Sequence, residues 1–366
     1  MDIVIVGGGI IGTAIAARLG GTDHDVTLVE RSRIGEETTA ASAGILMETA
    51  VDPTPFDLRF RERARESYAE LFDRSSIETT RVGTLYVAET PAFADRLEDS
   101  TEPLRANGVE ASFLPAAEFE RFGVDPEGFV GGLYTPGDEL CEPTAVAQWF
   151  AECARANGAT VRTGVTVTDI RTDGRDGIAV SGVETDAGRL EADCVINAAG
   201  PWATELNEMV GVSLPLCHTL GPMAALEADD PIEGPVTILE SHRYVRPTDG
   251  PGVWVGEYLT EYVDGQRYDP SAETVSDEFL ETASDVAEIV PALEGATVED
   301  DWLGLRTVTP DGRPLVGETT VDGFVVACGL TGRGITLAPA VADAVAETLA
   351  GTVDDETRSR LSPERF

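Results

Sequence analysis

Asp2-Ile-Val-Ile-Val-Gly-Gly-Gly-Ile-Ile-Gly12 carries a short apolar run into a turn with the spacing Gly7-x-Gly9-x-x-Gly12. A second apolar run, Val26 to Val29, ends on Glu30, about 20 residues past the glycines. Strand, turn, helix, second strand and terminal acid in that order predict a βαβ unit that holds a dinucleotide. Gly7 makes the tight turn, Gly9 lets the backbone touch a pyrophosphate, and Gly12 lets the helix pack on the strand. Ile10 and Ile11 open the helix, whose free N–H groups and dipole favour an anion. Glu30 is placed to accept from ribose hydroxyls. The unit predicts an ADP-containing cofactor.

Outward from that unit, composition narrows the chemistry. The chain has 366 residues, room for two domains, and a net charge of −40 from 66 acidic and 26 basic residues. Every basic residue is arginine; there is no lysine. The acids are spread along the chain, and 42% hydrophobic content argues against disorder. Such a surface repels itself and is tolerated where salt screens it, as in the proteins of salt-accumulating halophiles, which this composition resembles. Nucleic acid and anionic membranes, both polyanions, are disfavoured as partners. The apolar run Ile3 to Ala17 lacks a basic flank, and Arg18 interrupts it. It reads as a buried strand and helix rather than a leader or span, and the expectation is a cytoplasmic protein without a transmembrane segment.

The five cysteines, Cys141, Cys153, Cys194, Cys217 and Cys328, form no C-x-x-C pair. The histidines, His24, His218 and His242, show no metal-ligand spacing. There is no G-x-S-x-G elbow, and a P-loop needs a lysine. Metal, acyl-enzyme and P-loop chemistry are therefore not indicated, and the cofactor is expected to do the work.

Further along, a small-residue loop, Thr38-Thr39-Ala40-Ala41-Ser42-Ala43-Gly44, precedes a helix predicted over 57–74. Residues 82 to 135 alternate short strands and amphipathic helices. A helix over 145–157 capped by Gly158, a strand over 160–170, and Cys194 to Trp202 restore the nucleotide-binding texture. Arg243 to Arg246 and Val253 to Gly256 predict a hairpin across Asp249-Gly250. Residues 276 to 290 read as helix, 321 to 328 as strand, and a long apolar helix follows Gly334. The expected division is 1–80, 140–215 and 300–366 for the nucleotide, with 81–139 and 216–299 forming a second domain for substrate.

Four separated signals line up. They are the N-terminal glycines, the Thr38 to Leu46 loop, Asn197-Ala-Ala-Gly-Pro-Trp202, and a C-terminal block. That block joins Trp302-x-Gly-Leu-Arg306-x-x-Thr-Pro-Asp311-Gly-x-Pro-Leu-x-Gly317 to Gly329 through Pro339. Together they resemble the D-amino-acid oxidase superfamily of flavoproteins, most closely its glycine oxidase-like and bacterial D-amino-acid dehydrogenase-like members. The resemblance covers essentially the whole chain. It implies a mixed α/β and α+β fold, with a Rossmann-like, GR2-type FAD-binding domain and an inserted, mostly antiparallel-sheet substrate domain.

It also implies FAD as cofactor. Gly7, Gly9 and Gly12 would hold the pyrophosphate, and Glu30 with Arg31 the adenosine ribose. Thr38, Thr39, Ala43 and Gly44 would line pyrophosphate and flavin, and Val167 would meet adenine. Ala198, Ala199, Gly200 and Trp202 would close over the nucleotide. Gly332, Arg333, Gly334 and Ile335 would meet the pyrimidine end of the flavin, where a helix N-terminus favours the charge of the reduced ring. Arg306, which also borders the flavin, stands where the family binds the substrate carboxylate, a task for a planar guanidinium. Tyr244 matches a strand tyrosine assisting it, and Arg246 and Arg333 are weaker candidates. The FAD is expected to be non-covalent, because no cysteine lies near 306–311. Leu330 and Thr331 stand where the family often has a histidine or another bulky residue, and Gly332 where glycine oxidases place a second arginine. Those departures keep three readings open besides oxidation of glycine or a D-amino acid: an N-methyl amino acid enzyme, a 2-hydroxy-acid enzyme, and an electron-transferring subunit of a complex. Oxygen or a respiratory carrier would reoxidise the flavin, and either a monomer or an oligomer is compatible with the sequence.

Overall fold

The computed structural model describes residues 1–173, 179–269 and 272–366. Asp2–Val6 is a buried strand, and Ile10–Leu19 is the helix that follows its glycine turn. Asp2–Val6 pairs in parallel with Asp25–Glu30 on one side and Cys194–Asn197 on the other. Thr160–Thr163 and Phe324–Cys328 extend this sheet in parallel, and Leu315–Glu318 closes it antiparallel, making six strands. The central strands Asp2–Val6, Cys194–Asn197 and Phe324–Cys328 read as nearly continuous apolar runs because helices cover the sheet. The helices Ile10–Leu19, Pro143–Ala156 and Gly334–Leu349 bury their apolar sides against it.

The glycines of the first turn divide by role. Gly7 has φ +113°, and a β-carbon there would lie 2.5 Å from the Ala198 carbonyl oxygen. A β-carbon on Gly12 would collide with the carbonyl of Gly7. Both are required by the fold itself. Gly9 is different: its φ of −72° suits any residue, and its missing β-carbon would meet only Thr39 Oγ1, at 3.2 Å.

A second, eight-stranded sheet carries the remaining core. Cys217–Pro231 pairs antiparallel with Thr297–Val308 and with Pro251–Glu257, and Arg243–Pro247 follows as the expected hairpin partner. The sheet continues through Val236–Leu239 and Thr84–Ala88 to Gly131–Thr135 and Ser112–Pro115. Its back packs on the helix Asp277–Ser284, and its front packs on Leu58, Leu97 and the loop residues Ala43, Ile45, Met47 and Val51.

Two expectations meet a different structure. The strand expected over 160–170 breaks in two, because Gly164 adopts φ +68° and redirects the chain. Val167–Asp173 then joins a small antiparallel sheet instead of the parallel one. The expected division at 300 falls inside the strand Thr297–Val308, so residues 300 to 308 pair in the eight-stranded sheet rather than with the nucleotide-binding strands.

Candidate active site

A cleft runs from the first glycine turn to the edge of the eight-stranded sheet. Two helix N-termini point into it. Ile10–Leu19 has no side-chain cap from Gly9 and no acid in its first turn, and the same holds for Gly334–Leu349 behind Arg333. Each leaves the positive end of a helix uncompensated. Thr39 Oγ1 accepts from Ile10 N at 3.0 Å, which fixes the small-residue loop against the first helix.

At one end of the cleft, Glu30 is buried and accepts from Gly8 N at 2.6 Å, Ser32 N at 2.7 Å and Ser32 Oγ at 2.9 Å. A carboxylate has about four acceptor sites, so one remains for a ribose hydroxyl. Arg31 lies 3.8 Å over the Trp202 ring while paired to Glu37 at 2.8 Å. Val165, Thr166 and Val167 line the opposite wall. His218 ties this end to the second sheet, its Nε2 contacting the Pro201 carbonyl at 2.9 Å.

At the other end stands Arg306. It faces Thr219 across the strand pair, and its guanidinium donates to Leu220 O at 3.2 Å and to Glu257 O at 3.2 and 3.3 Å. A β-carbon on Gly332 would lie 3.0 Å from its Nε, so the positive-φ turn before the last helix also rests on it. Thr331 N donates to Thr307 O at 2.9 Å and fastens that turn to the strand. Among the described residues Arg306 has no ion-pair partner. Burial pulls its pKa down, opposed by Tyr244, Glu257 and Tyr258, and guanidinium stays charged all the same. A half-buried guanidinium that meets only carbonyl oxygens keeps donors with which an anion could pair.

The sequence candidates fall into three groups. Gly7, Gly9, Ile10, Ile11, Glu30, Arg31, Thr38, Thr39, Val167, Ala198, Ala199, Gly200, Trp202, Arg306, Gly332, Gly334 and Ile335 line the cleft together. Gly12, Ala43, Gly44 and Arg333 do not. Gly44 is held by the Cys141 carbonyl, which a β-carbon would strike, and Arg333 turns its guanidinium to the Gly312 carbonyl. Tyr244 also lies off the cleft wall. It is buried beside Arg306, and its hydroxyl donates to Met223 Sδ at 2.7 Å. Arg246 is buried and stacked 4.3 Å over Trp254.

Sequence reading missed Gly221, Gly256 and Tyr258. A β-carbon on Gly221 would lie 2.7 Å from Arg306 Cζ, and one on Gly256 would strike the Tyr244 ring. These two strand glycines are the floor on which the polar side chains lie, a use that a glycine inside a strand signals. All five cysteines are free, and burial pushes the thiols of Cys141, Cys194 and Cys328 up to about 12. None is primed for thiolate chemistry.

The model of the DAO family, described as FAD dependent oxidoreductase, matches residues 2–348. The chain belongs to this family. A glycine oxidase from Geobacillus kaustophilus is 28% identical over 350 residues, covering 92% of this chain and 90% of its own. The crystal structure of glycine oxidase from that species superposes with a TM-score of 0.85 at 27% identity, covering 100% of this chain and 98% of its own. A D-amino acid dehydrogenase from Xanthobacter autotrophicus is 26% identical, covering 100% and 99%. Human mitochondrial sarcosine dehydrogenase is 28% identical over 92% of this chain, which spans 38% of the human protein. The protein is an FAD-dependent oxidoreductase.

The residues present fit the cofactor. The open position over Gly9 and the first helix N-terminus would take the pyrophosphate, Glu30 the ribose, and the second helix N-terminus the pyrimidine edge of the flavin. Among the described residues no helix is long and apolar enough to cross a membrane.

Proposed function

We propose that this protein oxidises the C–N bond of a small amino acid, glycine or a D-amino acid, to an imine that water then hydrolyses to a 2-oxo acid and ammonia. Bound FAD would supply the chemistry by accepting a hydride from the substrate carbon at N5. The chain's own task is positioning, which can supply much of the barrier reduction in such a reaction. Arg306, which lines the cleft, would hold the substrate carboxylate with the N–H donors that Leu220 and Glu257 leave over. Buried Tyr244 and half-buried Trp302, on the same sheet, would help exclude water and favour the neutral amine that hydride loss requires.

The observation that carries this reading is the unpaired guanidinium at the flavin end of a dinucleotide cleft. The experiment is anaerobic titration of holoenzyme with glycine, D-amino acids, sarcosine and 2-hydroxy acids, following the flavin absorbance. Bleaching by glycine or a D-amino acid supports the proposal. Bleaching by sarcosine alone favours an N-methyl amino acid instead, a reading supported by the match to sarcosine dehydrogenase. Bleaching by 2-hydroxy acids alone contradicts both.

A further inference from the structure

The strand Pro251–Glu257 runs into a loop, and residues 258–269 form neither helix nor strand. No ladder holds such a stretch, so its place beside the site depends on individual ties. One tie is at Glu257, whose carbonyl accepts from both Nη atoms of Arg306 at 3.3 and 3.2 Å. Another is at His218, on the strand Cys217–Pro231. His218 N donates to Gln266 O at 2.8 Å, and Gln266 Nε2 donates to His218 O at 2.9 Å. Tyr268 N donates to the ring itself, at 3.1 Å from His218 Nδ1.

The same imidazole meets the cleft wall with its other nitrogen. The residue is buried, and Nε2 lies 2.9 Å from the carbonyl oxygen of Pro201. A carbonyl only accepts, so Nε2 carries the proton and donates, which leaves Nδ1 bare to accept from Tyr268 N–H. The Tyr268 carbonyl is farther from Nδ1, at 3.3 Å. Pro201 belongs to the turn over residues 198–202, which lines the cleft. Both ring nitrogens are thus engaged, one with the turn and one with the loop.

We infer that His218 is a positioning residue that fastens the turn over the nucleotide to the loop that starts at the carbonyl partner of Arg306. Nε2–H holds the Pro201 carbonyl and Nδ1 holds the Tyr268 N–H, so one ring braces the cofactor side and the substrate side together. This rests on the placement of FAD in the cleft against residues 198–202. The bond has a direct readout, because the peptide that carries the Tyr268 N–H is the one trypsin hydrolyses after Arg267. Arg267 is partly exposed and paired to Glu208 at 2.7 Å, a surface pair that gives little protection. With no lysine in the chain, trypsin cuts only after arginine.

The test uses FAD-loaded holoenzymes in KCl at one fixed concentration, and two variants that each keep one half of the ring's bonding. The amide of His218→Asn stands near the place of Nδ1 and can accept from Tyr268. That of His218→Gln reaches the place of Nε2 and can donate to Pro201. Two rates are read: appearance of a new N-terminus at Tyr268 under trypsin, by mass spectrometry, and loss of flavin on dilution, by its fluorescence. One neutral hydrogen bond corresponds to a change of about 3- to 10-fold. His218→Gln should be cut after Arg267 faster by that factor and keep its flavin like wild type. His218→Asn should lose flavin faster by that factor and be cut at the wild-type rate. A histidine that only fills space would give two variants that behave alike, and that result overturns the inference. If His218→Asn loses flavin while His218→Gln is cut like wild type, His218 does not hold the loop, and the inference falls while the cofactor placement stands. If His218→Gln is cut faster but His218→Asn keeps its flavin, residues 198–202 do not carry the nucleotide, and that placement fails together with the inference.

Discussion

The guanidinium of Arg306 lies flat over Gly221 of the neighbouring strand, so close that a β-carbon there would be 2.7 Å from Cζ and 2.8 Å from each Nη. A glycine in a central strand is otherwise a cost in stability, since it has no side chain to pack. Its presence makes sense as room for a cation that must lie along the sheet rather than stand off it. Gly221→Ala should therefore displace Arg306 while sparing the distant FAD cradle. We expect full flavin content, about 1–3 kcal/mol lower stability from overpacking, and at least about tenfold weaker substrate affinity in anaerobic reduction. Unchanged substrate affinity would show that Arg306 does not need that floor.

Gly7 and Gly9 are two residues apart and should fail differently. Gly7→Val places a branched side chain at φ +113° against the Ala198 carbonyl, and should not give soluble folded protein. Gly9→Val has ordinary backbone angles and only Thr39 Oγ1 nearby, so it should fold and remain colourless. A yellow Gly9→Val protein with full FAD occupancy would remove the pyrophosphate from this turn.

Asp138 gives a pH dependence of definite sign. It is fully buried, accepts from Glu48 N at 2.7 Å and Thr135 Oγ1 at 3.3 Å, and burial raises its pKa to about 6. An unfolded aspartate titrates near 3.9, so between about pH 4 and 6 the folded state binds more protons than the unfolded one. Stability from this group is thus present at low pH and declines as pH rises through the folded value. The loss is about 3 kcal/mol, from roughly two units at 1.36 kcal/mol each. Other carboxylates, such as Asp311 and Asp354, are shifted the opposite way, so the comparison must be with Asp138→Asn. Denaturant melts of the two proteins should show wild type losing ground to the variant between pH 4 and pH 7. A difference that stays constant over that range contradicts the assignment.

Salt should matter more than any single contact. With −40 charges and no lysine, self-repulsion is unscreened in dilute buffer, and the Debye length shrinks to about 3 Å at 1 M. Thermal midpoints should rise steeply from dilute buffer into molar KCl. Midpoints that do not move would discard the halophile-like reading of the composition.

Which parts of this site could be read from the chain depends on whether their causes are local. The βαβ unit was readable because turn, helix start and acid lie within one short stretch and each constrains the next. The helix Pro55–Arg74 was expected two residues late, since its start is set by the Thr54–Asp57 capping box rather than by its apolar stripe. Gly164 was invisible as a strand breaker because nothing nearby in sequence demands its positive φ. Arg333 looked like a site residue by position, yet its side chain finds the Gly312 carbonyl instead. Gly221, Gly256 and Tyr258 gain meaning only from cross-strand register, which joins residues some 12 to 86 positions apart.

The most direct measurement is the rate of anaerobic flavin reduction in Arg306→Ala and Arg306→Lys holoenzymes, using whichever substrate bleaches wild type best. Losing a charged contact in a desolvated pocket should cost about 2–5 kcal/mol, a fall of roughly 30-fold to several thousand-fold in reduction rate over substrate affinity. Lysine should restore only part of it, because an ammonium lacks the planar fork, and both variants should remain yellow. An Arg306→Ala enzyme that stays yellow and is reduced at the wild-type rate with wild-type affinity would contradict the placement of the substrate on this arginine.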